Sequence, residues 1–142
     1  MNSDPQPILR ILAAYQAAVL AKDAEAFAAL YDREVRVFDL WAQWSEEGAA
    51  ARLASATAWF ASLGSDRVVV TVENVQTIIT AEIAVAHAFL TYQGISADGV
   101  ELRAMSNRLS WVLKPTAGGW KIVHEHTSAP IDPETLKVIL KR

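Results

Sequence analysis

The sequence predicts an α+β domain whose helices come first and whose mostly antiparallel sheet follows. Apolar residues recur at helical spacing through the first third, and from residue 68 onward the pattern changes to short β-branched runs separated by turn residues. A glycine-containing connection between the last two runs reads as a hairpin, which argues against alternating βαβ units.

Taken in order, Ile8, Ile11, Leu12, Tyr15, Val19 and Leu20 make one helical stripe, with Pro5 and Pro7 before it or in its first turn. Lys22-Asp23 breaks that helix, and Asp23 caps a second one carrying Phe27, Leu30 and Tyr31. Alternation over residues 35–39 predicts a short strand, followed by an aromatic hinge through Trp41 and Trp44. A third helix, 49–63, carries Leu53, Ala56, Trp59, Phe60 and Leu63 and stops near Gly64. Strands are expected at 68–72, 75–80, 83–92, 102–113 and 120–127, with Pro115 to Gly119 turning the last pair. The end, 133–142, reads as a short helix or an extended tail.

Composition narrows the function classes. A chain of 142 residues suits one domain over 1–142, with 1–7 and 133–142 peripheral, and a 52% hydrophobic share supplies a core. The formal charge of −3 comes without a basic tract, so nucleic acid is not an expected partner. Cysteine is absent, which excludes disulfides and thiolate ligands or nucleophiles and fits a reducing compartment. No apolar run reaches the roughly 18–20 residues a bilayer span needs, and the first residues do not read as a secretory leader. The expectation is a cytoplasmic protein with no membrane partner.

Candidate chemistry concentrates between Trp120 and Pro130, where His124, Glu125 and His126 fall together. Histidine titrates nearest neutrality, so the run is suited to proton exchange. Strand alternation puts His124 and His126 on one face with Trp120, Ile122 and Ser128, and Glu125 on the other with Lys121, Val123 and Thr127. Those histidines suit either a pocket wall or a structural polar network. Arg108 offers a fork of donors for a carboxylate or other anion, or a structural ion pair. His87, between two alanines, reads first as structural. Asp39, before the aromatic hinge, is suited to act as a base at a cavity rim or to cap a turn. Tyr15, Trp41, Trp44 and Trp59 suit either the wall of an apolar pocket or the core. No metal site is expected, because the two histidines are two residues apart with no compelling further ligand. No phosphate loop or dinucleotide fingerprint is present, so no cofactor is expected.

The helix-rich opening, the strand over 35–39, and the runs from Arg108 to Leu113 and from Gly119 to Pro130 resemble the NTF2-like superfamily, particularly SnoaL-like proteins. The terminal hairpin also resembles the association domain of calcium/calmodulin-dependent protein kinase II, which has a similar histidine–x–histidine–x–serine run. The resemblance implies a cone of three helices laid on a strongly curved mixed sheet around a cavity, and a homodimer through the outer sheet face. In the association domains an arginine at the place of Arg108 contributes to a pocket. Phe89 and Thr127 stand where two other arginines occur, which implies a less basic cavity here.

Ketosteroid isomerases and SnoaL-like cyclases show that the fold encloses proton transfer on hydrophobic rings. The resemblance implies Asp39 as base and Tyr15 as one donor to a developing enolate. Joined to the residue reading, it leads to Asp39 or His126 as proton carriers, with Tyr15, Trp41, Trp44, Trp59, His87, Arg108 and His124 around a hydrophobic carbonyl or carboxylate compound. The expected activity is binding with acid–base isomerisation, cyclisation or hydrolysis. The alternative is a noncatalytic dimeric domain with a vestigial pocket.

Overall fold

A computed structural model describes residues 4–142; residues 1–3 of the stretch expected to be peripheral lie outside the described residues. Helix α1 (Gln6–Ala21) starts on Pro5 and ends where Lys22 turns left-handed at φ 53°. Asp23 then caps α2 (Ala24–Ala28), its carboxylate accepting from the Ala26 amide at 3.0 Å. The remaining elements are β1 (Tyr31–Phe38), β2 (Glu46–Glu47), α3 (Ala49–Ser62), β3 (Arg67–Ile79), β4 (Ala84–Ile95), β5 (Glu101–Thr116) and β6 (Gly119–Ser128). The runs expected as separate strands at 68–72 and 75–80 are one strand, β3. Asn74, at φ 55°, supplies an irregularity inside the ladder instead of ending it.

The strands form one mixed sheet in the order β2-β1-β6-β5-β4-β3. Only β1 and β6 run parallel. The α+β class and the three helices follow the expectation, but the strongly curved cone does not: the sheet is open and not strongly curved. Strong curvature needs bulges or glycine kinks repeated at matching levels of neighbouring strands. Here only the shifts at Tyr31/Arg36 and Val112/Leu113 share a level, both flanking Val123 of β6, whereas those at Glu73/Gln76 and Gly94/Ile95 fall elsewhere.

The helices cover one face of this sheet. Ile8, Leu12 and Val19 from α1, Ala56 and Phe60 from α3, and Val35, Leu90, Leu109, Trp111, Leu113 and Ile122 from the strands share one core cluster. The other face carries most of the polar strand residues. On β4, for example, Ala84, Ala86, Ala88 and Leu90 are buried while His87 between them is exposed. This two-faced sheet, apolar inward and polar outward, is what the strand alternation predicts.

Past β6 the chain folds back rather than forming a helix. Ile131 bridges Val138, the Ile139 amide donates to the Pro130 carbonyl at 2.8 Å, and the Ser106 amide donates to the Leu140 carbonyl at 2.7 Å. The tail therefore satisfies the part of the β5 edge that β6 leaves uncovered. No helix among the described residues is long and apolar enough to cross a membrane.

Candidate functional site

Between the helices and the inner sheet face lies a cavity of about 560 Å³, within the range that holds small organic ligands. Phe27, Ala56, Trp59, Leu63, Val68, Met105 and Leu140 give it an apolar wall, and Tyr15, Asp39, Arg52, Tyr92, Arg103, Asn107, Glu125 and Thr127 supply polar groups.

The floor is a buried ionic network. Glu125 accepts from the Tyr31 hydroxyl at 2.6 Å and the Trp111 indole at 2.8 Å on one oxygen, and from Arg52 Nη1 at 3.2 Å on the other. Arg52 also donates through Nε to Glu46 at 2.6 Å, and the Ser55 hydroxyl donates to the second Glu46 oxygen at 2.7 Å. A buried carboxylate is tolerated only when paired and hydrogen-bonded, and Glu125 is both. Burial alone disfavours the Arg52 charge, but the hydrogen bond to Glu46 and the nearby negative charges more than offset it, so its pKa lies above the ordinary value.

One irregularity in β6 creates this floor. Leu113 pairs with Ile122 and Val112 with His124, so Val123 is an extra residue on β6. Strict alternation would put Ile122 on the histidine face. The extra residue turns Ile122 inward while Glu125 and Thr127 also face in.

Above the floor, the Tyr15 and Tyr92 hydroxyls are 2.8 Å apart. Burial pushes both well above the ordinary phenol range, and the charge of Glu125 adds to the effect; at Tyr92 the hydrogen bond from Tyr15 works the other way without cancelling it. Both therefore stay protonated and act as donors, not bases. Asn107 lies next to them, and its Oδ1 is buried without a hydrogen-bond partner. At the rim, Asp39 Oδ1 accepts from the Thr127 hydroxyl at 2.8 Å, and Thr127 is itself fixed by the Leu40 amide at 2.9 Å. No partner engages Asp39 Oδ2 among the described residues. Asp39 is close enough to Tyr92 to contribute to its upward shift.

Of the residues singled out from sequence, Tyr15, Asp39, Trp41 and Trp59 meet at this cavity. Trp44 does not; it is 97% exposed. Arg108, His87, His124 and His126 lie on the opposite sheet face. Arg108 Nε donates to Ser128 Oγ at 2.9 Å in an exposed position. His124 Nδ1 donates to the Arg36 carbonyl at 2.7 Å, and both terminal histidines pack edge-on against Phe38. They share a face, as alternation required, but the helices cover the other one. The sheet thus separates Asp39, at the cavity, from His126 and Arg108.

Sequence reasoning missed Arg52, Tyr31, Tyr92 and Arg103, and it named Glu125 in the histidine run without placing it at the cavity. One signal was available: Arg52 lies four and eight residues before Ala56 and Phe60, on the buried stripe of α3, whereas Leu53 lies on its margin. No group of three or more histidine, aspartate or glutamate side chains converges as a metal ion would need among the described residues.

The SnoaL-like domain family model matches residues 8–132. An NTF2-like protein of unknown function from Pseudomonas putida is similar at 22% identity, covering 96% of this chain and 94% of that one, with a TM-score of 0.83. An NTF2-like protein with a cystatin-like fold from Novosphingobium aromaticivorans is similar at 18% identity over 88% and 80% of the two chains, TM-score 0.75. The protein Aln2 from a Streptomyces species is similar at 14% identity over 90% and 93%, TM-score 0.77. At such identities these likenesses show the fold alone, and they do not extend the hairpin's resemblance to the kinase association domain. No curated protein sequence matches the chain.

Proposed function

Taking as premise that the chain belongs to the SnoaL-like domain family, we propose that it binds a small apolar carbonyl compound in this cavity and moves a proton on it. One observation carries the reading: the Tyr15–Tyr92 hydroxyl pair, 2.8 Å apart, lines the same apolar cavity whose rim holds Asp39. The ligand's carbonyl oxygen accepts a hydrogen bond from the tyrosine pair. Asp39 takes a proton from the carbon beside that carbonyl, and the electron pair moves onto the oxygen to give an enolate. Donors kept protonated by burial are aimed where that charge develops, which is where electrostatic help is strongest. Return of the proton from Asp39 to another carbon completes an isomerisation. Thr127, fixed by the Leu40 amide, holds one oxygen of Asp39 and leaves the other for the proton. His126 and Arg108, on the far face, take no part.

Exchange of the α-protons of 2-tetralone in deuterated buffer, followed by NMR, tests this. The protein should accelerate exchange, and Asp39→Asn should remove about 10²–10⁴-fold of the acceleration, the usual contribution of a general base. Tyr92→Phe should cost about tenfold or more. Equal exchange with the native protein, Asp39→Asn and buffer alone sinks the catalytic half, and absence of 2-tetralone binding sinks the whole.

The outer sheet face favours a second role. His87, Ser110 and His126 sit in register across three strands, with exposed Ile78 nearby on β3. This mixed apolar and polar surface supports a homodimer through that face. Sedimentation at micromolar concentration should show a dimer that Ile78→Glu weakens; a monomer throughout removes the idea.

A further inference from the structure

We infer that Arg103, lying across Gly94 on the cavity wall, binds a carboxylate carried by the ligand, so that the substrate class is an apolar ring acid with an oxygen function at its other end. This rests on the reading that the cavity binds a small apolar compound.

Arg103 and Gly94 face each other in register across β5 and β4, and both line the cavity. A Cβ placed on Gly94 would stand 3.1 Å from Arg103 Cγ and Cζ and 3.2 Å from Nε. The Arg103 side chain therefore lies close against the β4 backbone, and a Cβ there would press it aside by a few tenths of an ångström. Gly94 is not among the glycines with positive φ, so what favours glycine there is the close approach of Arg103, not the backbone conformation.

The charges differ in their commitments. Arg52, the other arginine of the cavity, is held by Glu46 and Glu125 in the buried network. The ion-pair partner of Arg103 is Asp66, at 4.0 Å, beyond hydrogen-bond reach, and its side chain is 57% exposed. It therefore keeps its planar fork of donors for a ligand, and that fork matches a carboxylate in two parallel hydrogen bonds. Tyr92 precedes Gly94 by two residues on the same face, about 7 Å along the strand. A ligand reaching both groups thus has two polar ends separated by an apolar body about the size of a fused bicyclic ring.

The test uses three probes, 6-hydroxy-2-naphthoate, its primary amide and 2-naphthol, with affinities read by calorimetry on the whole chain. The native protein should bind the carboxylate at least tenfold more tightly than the amide. Arg103→Met should abolish that preference and leave 2-naphthol affinity within twofold; Arg103→Lys should retain part of it. Gly94→Ala should lower carboxylate affinity in the native background and have no further effect when combined with Arg103→Met. Circular dichroism and thermal unfolding establish that each variant is folded, and Arg103→Met, on an exposed side chain, carries the test if Gly94→Ala is not. Equal binding of carboxylate and amide, or a preference that survives Arg103→Met, overturns the role of Arg103 while 2-naphthol binding still upholds the cavity reading. Failure of all three probes to bind overturns both.

Discussion

Replacing Arg52 with Met tests whether the ionic floor holds the fold together as its geometry requires. The side chain is 7% exposed and the Glu125 it neutralises is 3% exposed. Methionine fills much of the arginine stem's volume, so the variant removes the charge while limiting the cavity it leaves. It strands a buried carboxylate with two neutral donors, Tyr31 and Trp111, and no cation. Breaking a buried pair from one side typically costs about 3–5 kcal/mol. For a chain of this length, at about 3 °C per kcal/mol, that lowers Tm by roughly 9–15 °C.

The partner variant Glu125→Gln keeps an acceptor for Tyr31 and Trp111 and leaves Arg52 with Glu46. The double variant Arg52→Met/Glu125→Gln removes both charges and should cost less than the sum of the single changes by about 1.5 kcal/mol or more. Urea unfolding followed by tryptophan fluorescence gives all three values. A cost below about 1 kcal/mol, or strict additivity in the double variant, would refute the assignment of the network as a coupled unit.

The chain has three tyrosines, and burial raises the pKa of Tyr15, Tyr31 and Tyr92 above the ordinary phenol value. A group whose folded pKa is raised contributes stability that is intact below its unfolded pKa and is lost as pH climbs toward the folded one. Stability should therefore hold to about pH 10 and fall above it, and absorbance at 295 nm should show tyrosinate only together with unfolding; a native-state step near pH 10 contradicts this. Trp111→Ala should destabilise by about 3–5 kcal/mol, since a fully buried indole and its bond to Glu125 are lost. Trp44→Ala, at a 97% exposed position, should stay within about 0.5 kcal/mol of the native protein in the same urea assay. Leu140→Ala should leave Tm nearly unchanged but weaken 2-naphthol binding several-fold in calorimetry, because Leu140 lines the cavity from a half-buried tail.

Much of the fold was legible in order and type because its signals are local. Helical stripes, the Asp23 cap and the glycine turn before Trp120 depend on residues a few positions apart, and most elements formed near their expected places. The exceptions are β3, read as two strands, β2, read as part of a hinge, and Tyr31, read on the second helix. Tyr15, Asp39, Trp41 and Trp59 line the cavity, one of the two places the sequence left open for them, since aromatic and acidic residues suit a pocket wall as well as a core or a turn. The bulge at Val123 was not legible, since alternation alone carries no mark of an extra residue. Nor was Gly94 legible as a seat for Arg103, because a strand glycine reveals its neighbour only once the register is known.

By itself, the sequence determined the α+β class, the helix-then-strand order and the sharing of one face by His124 and His126, all of which follow from periodicity along the chain. Only the tertiary structure decided which sheet face the helices cover. That choice sends both histidines and Arg108 outward and brings Glu125, Tyr92 and Arg103 in. The reason is physical: the helices cover the face on which Leu90, Leu109, Trp111 and Leu113 line up across neighbouring strands, and the bulge at Val123 brings Glu125 onto that face to meet Arg52 of α3. Alternation along β6 alone gives two faces; the register with β5 and the bulge at Val123, set by long-range pairing, decide which of its residues reach the cavity.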